Sequence, residues 1–279
     1  MNADPAMPDA ASTPRVVDRP APDGTVHNPD FALSHELARA EWRRMRTDHR
    51  SLPRPVLVLD GWHSPGITAW GLARRLCKLT SGRWSDFAWA TYPLAMSVDA
   101  AARQAMRVVE HRGLSGREID LVGISMGGIV ARAITSGVLG LGGPEVVRAV
   151  RVFTLVSPHR GARLAAKVRL DRASEQLRPG SDLLRRLDEA FPARTYDLTC
   201  LALRRDWLVG EENTAPFGME PYWLDPVGFV PRMLSHFASI YDRRLQVEIA
   251  RRLRGEPPFA TRASPPPVQP ARRSSSSSP

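Results

Sequence analysis

Between Pro55 and Leu203 the sequence repeatedly changes its hydrophobic period. PVLVLDG (55–61), DFAWATYPL (86–94), IDLVGIS (119–125), VRVFTLVSP (150–158) and YDLTCLAL (196–203) are short apolar runs rich in β-branched residues. GITAWGLARRLCKLT, SVDAAARQAMRVVEHRG and MGGIVARAITSGVL, which lie between them, carry their apolar residues at helical spacing. A strand that is apolar throughout is buried on both faces, and strands separated by helices pair in parallel. The expected architecture is therefore α/β, with a doubly wound, mostly parallel sheet. In such sheets ligands gather beyond the carboxyl ends of the strands, so the residues just past each strand are the ones to inspect.

A chain of 279 residues fits one such domain. Residues 1–30, rich in Pro, Ala and Asp, and 255–279, ending in RRSSSSSP, lack periodic apolar positions and are expected to be disordered. The folded domain is expected over 31–254, with a helical cap insert at about 160–195. FALSHELARAEWRRMR (31–46) reads as an amphipathic helix packed beside the core, through Leu33, Leu37, Ala38, Trp42 and Met45. No apolar run approaches the roughly 20 residues of a membrane span, and MNADPAMPDAASTP lacks the features of a secretory signal, so a cytoplasmic location is expected. Cys77 and Cys200 have neither metal-ligand spacing nor a disulfide framework and read as core residues.

The net charge of +10 is carried almost wholly by arginine, since Lys78 and Lys167 are the only lysines. No nucleic-acid-binding motif accompanies it, so no nucleic-acid partner is expected. The arginines from Arg251 onward, opposed only by Glu256, read as a solvated tail first and an anionic-surface contact second, which leaves room for a transient membrane-surface contact.

The chemistry centres on Gly123-Ile124-Ser125-Met126-Gly127, a G-x-S-x-G pattern between a predicted strand and a predicted helix. Such a turn strains the serine backbone, and the glycines let strand and helix approach closely. The hydroxyl is presented at the rim of the sheet, where helix N-terminal amides can face developing negative charge. Serine needs a base held by an acid, and with this elbow the partners follow in the order Ser, Asp/Glu, His. His159 and His236 are the only histidines after Ser125. His159 precedes every strong acid candidate and reads as structural, which leaves His236 as the base. Asp206, just past TCLAL, is the preferred acid, with Glu211, Glu212 and Asp225 as substitutes. An oxyanion hole would draw on the Met126 amide and on an amide of LDGWHSPG, that of Trp62 or, next to it, His63.

These elements resemble the α/β-hydrolase superfamily, specifically its bacterial lipase/esterase branch, which includes triacylglycerol lipases and relatives acting as glycerophospholipid and GPI-inositol deacylases. VLVLDGW (56–62), LVGISMGGIVAR (121–132), FTLVSPHRGAR (153–163), QLRPGSDLLRRL (176–187), DWLV (206–209) and LSHFASIYD (234–242) carry the resemblance, over residues 55–253. It implies Ser125 as nucleophile, Asp206 as acid, His236 as base and the Trp62 and Met126 amides as the oxyanion hole. The family commonly has His-Gly where this chain has Asp60-Gly61, which bears on hydrogen bonding in that loop.

The cap has nine basic residues (Arg160, Arg163, Lys167, Arg169, Arg172, Arg178, Arg185, Arg186, Arg194) against five acids, which reads as a solvated face before an anion site. Its Leu164, Leu177, Leu183, Leu184 and Leu187 suit an acyl chain or packing. The expected activity is hydrolysis of lipid-like carboxylic esters through an acyl-enzyme, with no cofactor and no metal. The partner is then an ester or lipid-like small molecule. The same triad also serves an acyltransferase or thioesterase, and a non-catalytic α/β-hydrolase-like binding protein is a third reading.

Overall fold

The computed structural model describes residues 26–64, 66–168, 170–226 and 232–267. Its centre is a six-stranded sheet in the order β2-β1-β3-β4-β5-β6, parallel at every pairing. The strands are β1 (Val56–Leu59), β2 (Phe87–Ala90), β3 (Glu118–Ile124), β4 (Arg148–Leu155), β5 (Asp197–Leu203) and β6 (Tyr222–Leu224). All but β6 coincide with the apolar runs. β6 is only three residues long, too short for its period to show, and it sits at the edge beside β5.

Helices cover both faces, as burial of the strands requires. On one face Leu57, Leu59, Ile119, Leu121 and Val152 pack with α3 (Val98–His111), α4 (Met126–Ser136) and α7 (Asp182–Ala190). On the other, Val56, Val58, Val122, Ile124 and Phe153 pack with α1 (His35–Thr47), α2 (Thr68–Leu79) and α9 (Arg243–Leu253). The alternation along β1 sends successive side chains to opposite cores. Ser34 and Ser97 cap α1 and α3 by accepting the Leu37 and Ala100 amides, each at 3.1 Å. Cys77 and Cys200 are free thiols within the core, and burial pushes Cys200 up to about 12. No helix among the described residues is long and apolar enough to cross a membrane.

The structure redraws two expected boundaries. The packed region extends past Phe31 and Arg254: Phe31 pairs with Ala260 in an antiparallel bridge, and the Asn28 side chain donates to Trp223 O at 2.8 Å. Arg251, Arg252 and Arg254 are not a free basic patch either. Arg251 pairs with Glu41 (2.6 Å), Arg252 with Glu248 (2.7 Å) and Arg254 with Asp48 (2.8 Å) and Glu256 (2.7 Å). Glu41 and Asp48 lie far away in sequence, on or just after α1, so a charge count over the tail alone misses them.

The expected cap also divides. Leu177, Leu183, Leu184 and Leu187 are buried in the core beneath the sheet, and α7 packs against α4. Arg132 of α4 donates to Leu187 O and Asp188 Oδ1, both at 2.8 Å. α7 is thus the crossover helix between β4 and β5, and its leucines are packing residues. Of the expected cap, α5 (Arg163–Lys167) and α6 (Arg172–Gln176) lie against loops that follow the strands: Leu164 N–H donates to Leu208 O (3.0 Å) and Ala173 N–H to Met96 O (2.8 Å).

Candidate active site

Four non-glycine residues among those described have positive φ: His63 (49°), Ser125 (50°), Val156 (47°) and Arg205 (65°). They follow β1, β3, β4 and β5, so the backbone strain gathers along one edge of the sheet. Ser125 is the junction between β3 and α4, with ψ −121°. Its amide donates to Leu155 O (2.8 Å), and its carbonyl accepts from Gly128 N–H (3.1 Å). The glycines around it are sterically required. A Cβ on Gly123 would lie 2.5 Å from Gly128 N, and one on Gly127 would collide with the Leu59 and Asp60 carbonyl oxygens.

Ser125 Oγ lies 3.0 Å from His236 Nε2, and His236 Nδ1 lies 2.7 Å from Asp206 Oδ2. The carboxylate only accepts, so Nδ1 carries the proton it donates to Asp206, and Nε2 is left to accept from the serine hydroxyl. Asp206 is fully buried at the end of β5, and its Oδ1 accepts from the Leu208 and Val209 amides at 2.9 and 3.1 Å. DWLV is therefore a turn folded around its own aspartate. His236 sits on α8 (Arg232–Ala238), where Ser235 Oγ donates to Arg205 O (2.7 Å) and Ser239 Oγ donates to His236 O (2.7 Å). The histidine is thereby fixed to the strand end that carries the aspartate.

Two of the substitute acids are paired with arginines, and the third is buried. Glu212 pairs with Arg163 at 2.8 Å and Asp225 with Arg204 at 2.8 Å, while burial holds the Glu211 carboxyl above its ordinary value. His159 is fully buried. Its Nδ1 lies 3.5 Å from Arg132 Nη1 and its Nε2 3.0 Å from Thr154 Oγ1. Burial, then the Arg132 and Arg160 charges, hold it well below the usual imidazole value, so it is a neutral core residue.

Met126 is the first residue of α4, whose leading amides have no intrahelical acceptor. Trp62 follows Gly61, where an added Cβ would sit 3.5 Å from Ser125 Cβ, so the loop after β1 lies against the serine. Asp60 anchors this loop. Its Oδ1 accepts from Gly61 N–H (2.9 Å), and its carbonyl accepts from the Tyr92 hydroxyl. Burial pushes the Asp60 carboxyl above its ordinary value, against weaker opposition from Ser64, Gly61 and Ala69, and Oδ2 has no partner among the described residues. The aspartate in place of histidine thus has a structural role that the sequence motif did not reveal. Among the described residues no group of three His, Cys, Asp or Glu side chains is gathered to hold a metal.

A groove of about 320 Å³ runs beside the acid turn, lined by Arg163, Leu164, Ala166, Lys167, Pro179 and Trp207. A second cavity, lined by Arg132, Phe191 and Tyr196, lies between α4 and the end of α7, away from the serine.

The all-parallel sheet, the strained serine at the β3–α4 junction and the order of its partners define the α/β-hydrolase fold. By structure the chain is similar to phospholipase PlaB from Legionella pneumophila in complex with thio-NAD, with a TM-score of 0.55 at 15% identity, over 72% of this chain and 58% of that one. It is also similar to Bacillus licheniformis lipase BlEst2 in its propeptide form, with a TM-score of 0.47 at 16% identity, over 78% of this chain and 52% of that one. The chain thus spans little more than half the length of either. No family model and no curated protein matches the sequence.

Proposed function

We propose that the chain is a serine hydrolase of carboxylic esters with apolar, lipid-like acyl groups. The observation that carries this reading is the continuous hydrogen-bonded series Ser125, His236, Asp206 at the strained edge of the sheet. Ser125 Oγ attacks the ester carbonyl as His236 Nε2 takes its proton. The imidazolium that forms is held by Asp206, and the oxyanion is met by the Met126 and Trp62 amides. His236 then returns the proton to the leaving alcohol, and water, activated by the same histidine, releases the acid from the acyl-enzyme.

The surroundings favour an apolar substrate. Leu94 (88% exposed) follows β2, Leu170 (66%) precedes α6, and Phe237 (54%) lies beside His236, with ring centroids 5.5 Å apart. Large apolar side chains standing in solvent around a candidate active site suit an acyl chain. The groove beside Trp207 adds apolar surface next to the acid turn.

The test is hydrolysis of p-nitrophenyl esters from acetate to palmitate by the wild type, Ser125→Ala and His236→Ala. Turnover that both substitutions abolish, with an optimum beyond the shortest chains, is the expected result. Absence of turnover on every ester defeats the reading.

A further inference from the structure

Trp62 and His63 belong to the loop after β1, yet both rings reach across to one carboxylate oxygen on the β4–β5 crossover. Trp62 Nε1–H donates to Asp171 Oδ2 at 3.0 Å, and His63 Nε2 lies 2.9 Å from the same atom. Asp171 is also the N-cap of α6: its Oδ1 accepts from Ser174 N–H (2.8 Å), and Ser174 Oγ accepts from Asp171 N–H (3.1 Å). Burial works to raise this carboxyl, but the hydrogen bonds from Ser174, Trp62 and His63 outweigh it and hold Asp171 below its ordinary value. An ionised oxygen is thus aimed at two ring donors of the oxyanion loop.

α6 is itself tied down. Ala173 N–H donates to Met96 O (2.8 Å). Gln176 Oε1 accepts from Val98 N–H (2.8 Å), and its Nε2 donates to Asp99 Oδ2 (2.5 Å) at the start of α3. The oxyanion loop, the loop after β2 and α6 are therefore joined through Asp171. His63 holds a backbone conformation that a free loop would leave, with φ 49°, and Gly61 lies against Ser125. A shift of this loop by a fraction of an ångström would move the Trp62 amide relative to the reacting carbonyl.

We propose that Asp171 is a positioning residue that sets the oxyanion loop through the Trp62 and His63 rings, so that the hole is correctly formed only while α6 is docked on α3. This rests on the ester-hydrolase reading and assigns part of its transition-state stabilisation to a residue outside the triad. Its signature is kinetic. A hole that is misaligned but still open to substrate loses kcat and keeps KM, because the lost interaction forms only as charge develops on the oxygen.

Asp171→Asn separates this role from simple helix capping. Asparagine caps as well as aspartate, so its Oδ1 keeps the Ser174 bond, but its NH2 group then faces the Trp62 and His63 donors. With p-nitrophenyl butyrate, Asp171→Asn is expected to lower kcat about tenfold or more, with KM within about twofold and an unchanged unfolding temperature. Fluorophosphonate labelling of Ser125 should slow in parallel, and Trp62→Phe should lose part of the same kcat. Wild-type kcat and labelling rate in Asp171→Asn would overturn the proposal, as would a loss carried by KM or matched by a lower unfolding temperature. A wild type that neither turns over the ester nor takes the label defeats the ester-hydrolase reading and this proposal with it. A wild type that does both beside an unaffected Asp171→Asn defeats only the positioning role.

Discussion

A serine held at φ 50° costs about 1–3 kcal/mol, and that conformation persists because Leu155 O and Gly128 N–H fix it from both sides. Its return is exposure of the hydroxyl to His236. Ser125→Ala should lower turnover on the order of 10⁴-fold or more, and Asp206→Asn by a comparable factor, because asparagine no longer holds the Nδ1–H tautomer; steady-state rates check both. Asp60 gives a prediction with a pH sign. Its folded pKa is raised above 3.8, so the folded state holds the proton more tightly than the unfolded chain. Its contribution to stability is fully present below that value and is lost as pH rises through the folded one. Asp60→Asn should therefore unfold at a higher temperature than wild type at neutral pH, with the advantage shrinking toward pH 3.8 in thermal melts across pH. Ser125, His236 and Asp206 were legible because motif, chain order and strand-end position agree. The Trp62 and His63 bonds to Asp171 were not legible, since they join residues more than a hundred positions apart with no shared pattern.

At the scale of elements, the junction of β3 with α4 is closed by glycines. Gly127→Ala would push a methyl group into the Leu59 and Asp60 carbonyls of β1 and its loop. Backbone cannot yield as a side-chain tip does, so the loss should reach at least roughly 1–3 kcal/mol, read as a fall in unfolding temperature. Five of the six strands declare themselves in the sequence because each is long enough to show a mainly apolar run. β6 is too short to do so and is recognisable only from its pairing with Leu201–Leu203. α7 falls within the stretch that the sequence assigns to a cap for a related reason. Its apolar stripe, Leu183, Leu184 and Leu187, specifies a buried face but not which surface buries it, and the buried Arg132 of α4 joined to Asp188 is what settles the side.

Across the whole molecule, the two ends of the folded chain hold each other. Phe31 bridges Ala260, and Glu41, Asp48 and Glu256 interleave with Arg44, Arg251 and Arg254 between α1, α9 and the segment beyond it. Truncation after Arg254 removes Glu256 and the Phe259–Ala260 contact while leaving every residue of the candidate site in place. It should lower the unfolding temperature by several degrees, at about 2–4 °C per kcal/mol for a domain of this size, while kcat at 25 °C stays near wild type. Of the arginines that composition assigned to a tail, Arg251, Arg252 and Arg254 are therefore structural, and the distant Glu41 and Asp48 could not be matched to them by a local charge count.

A nucleophilic Ser125 activated by His236 leaves a covalent trace. The most direct measurement is mass spectrometry of the tryptic peptide that contains Ser125 after exposure to a fluorophosphonate, for wild type and His236→Ala. A single adduct on Ser125 in the wild type, formed far more slowly in His236→Ala, is the expected result. An unmodified Ser125, or labelling at the same rate without the histidine, would contradict the account.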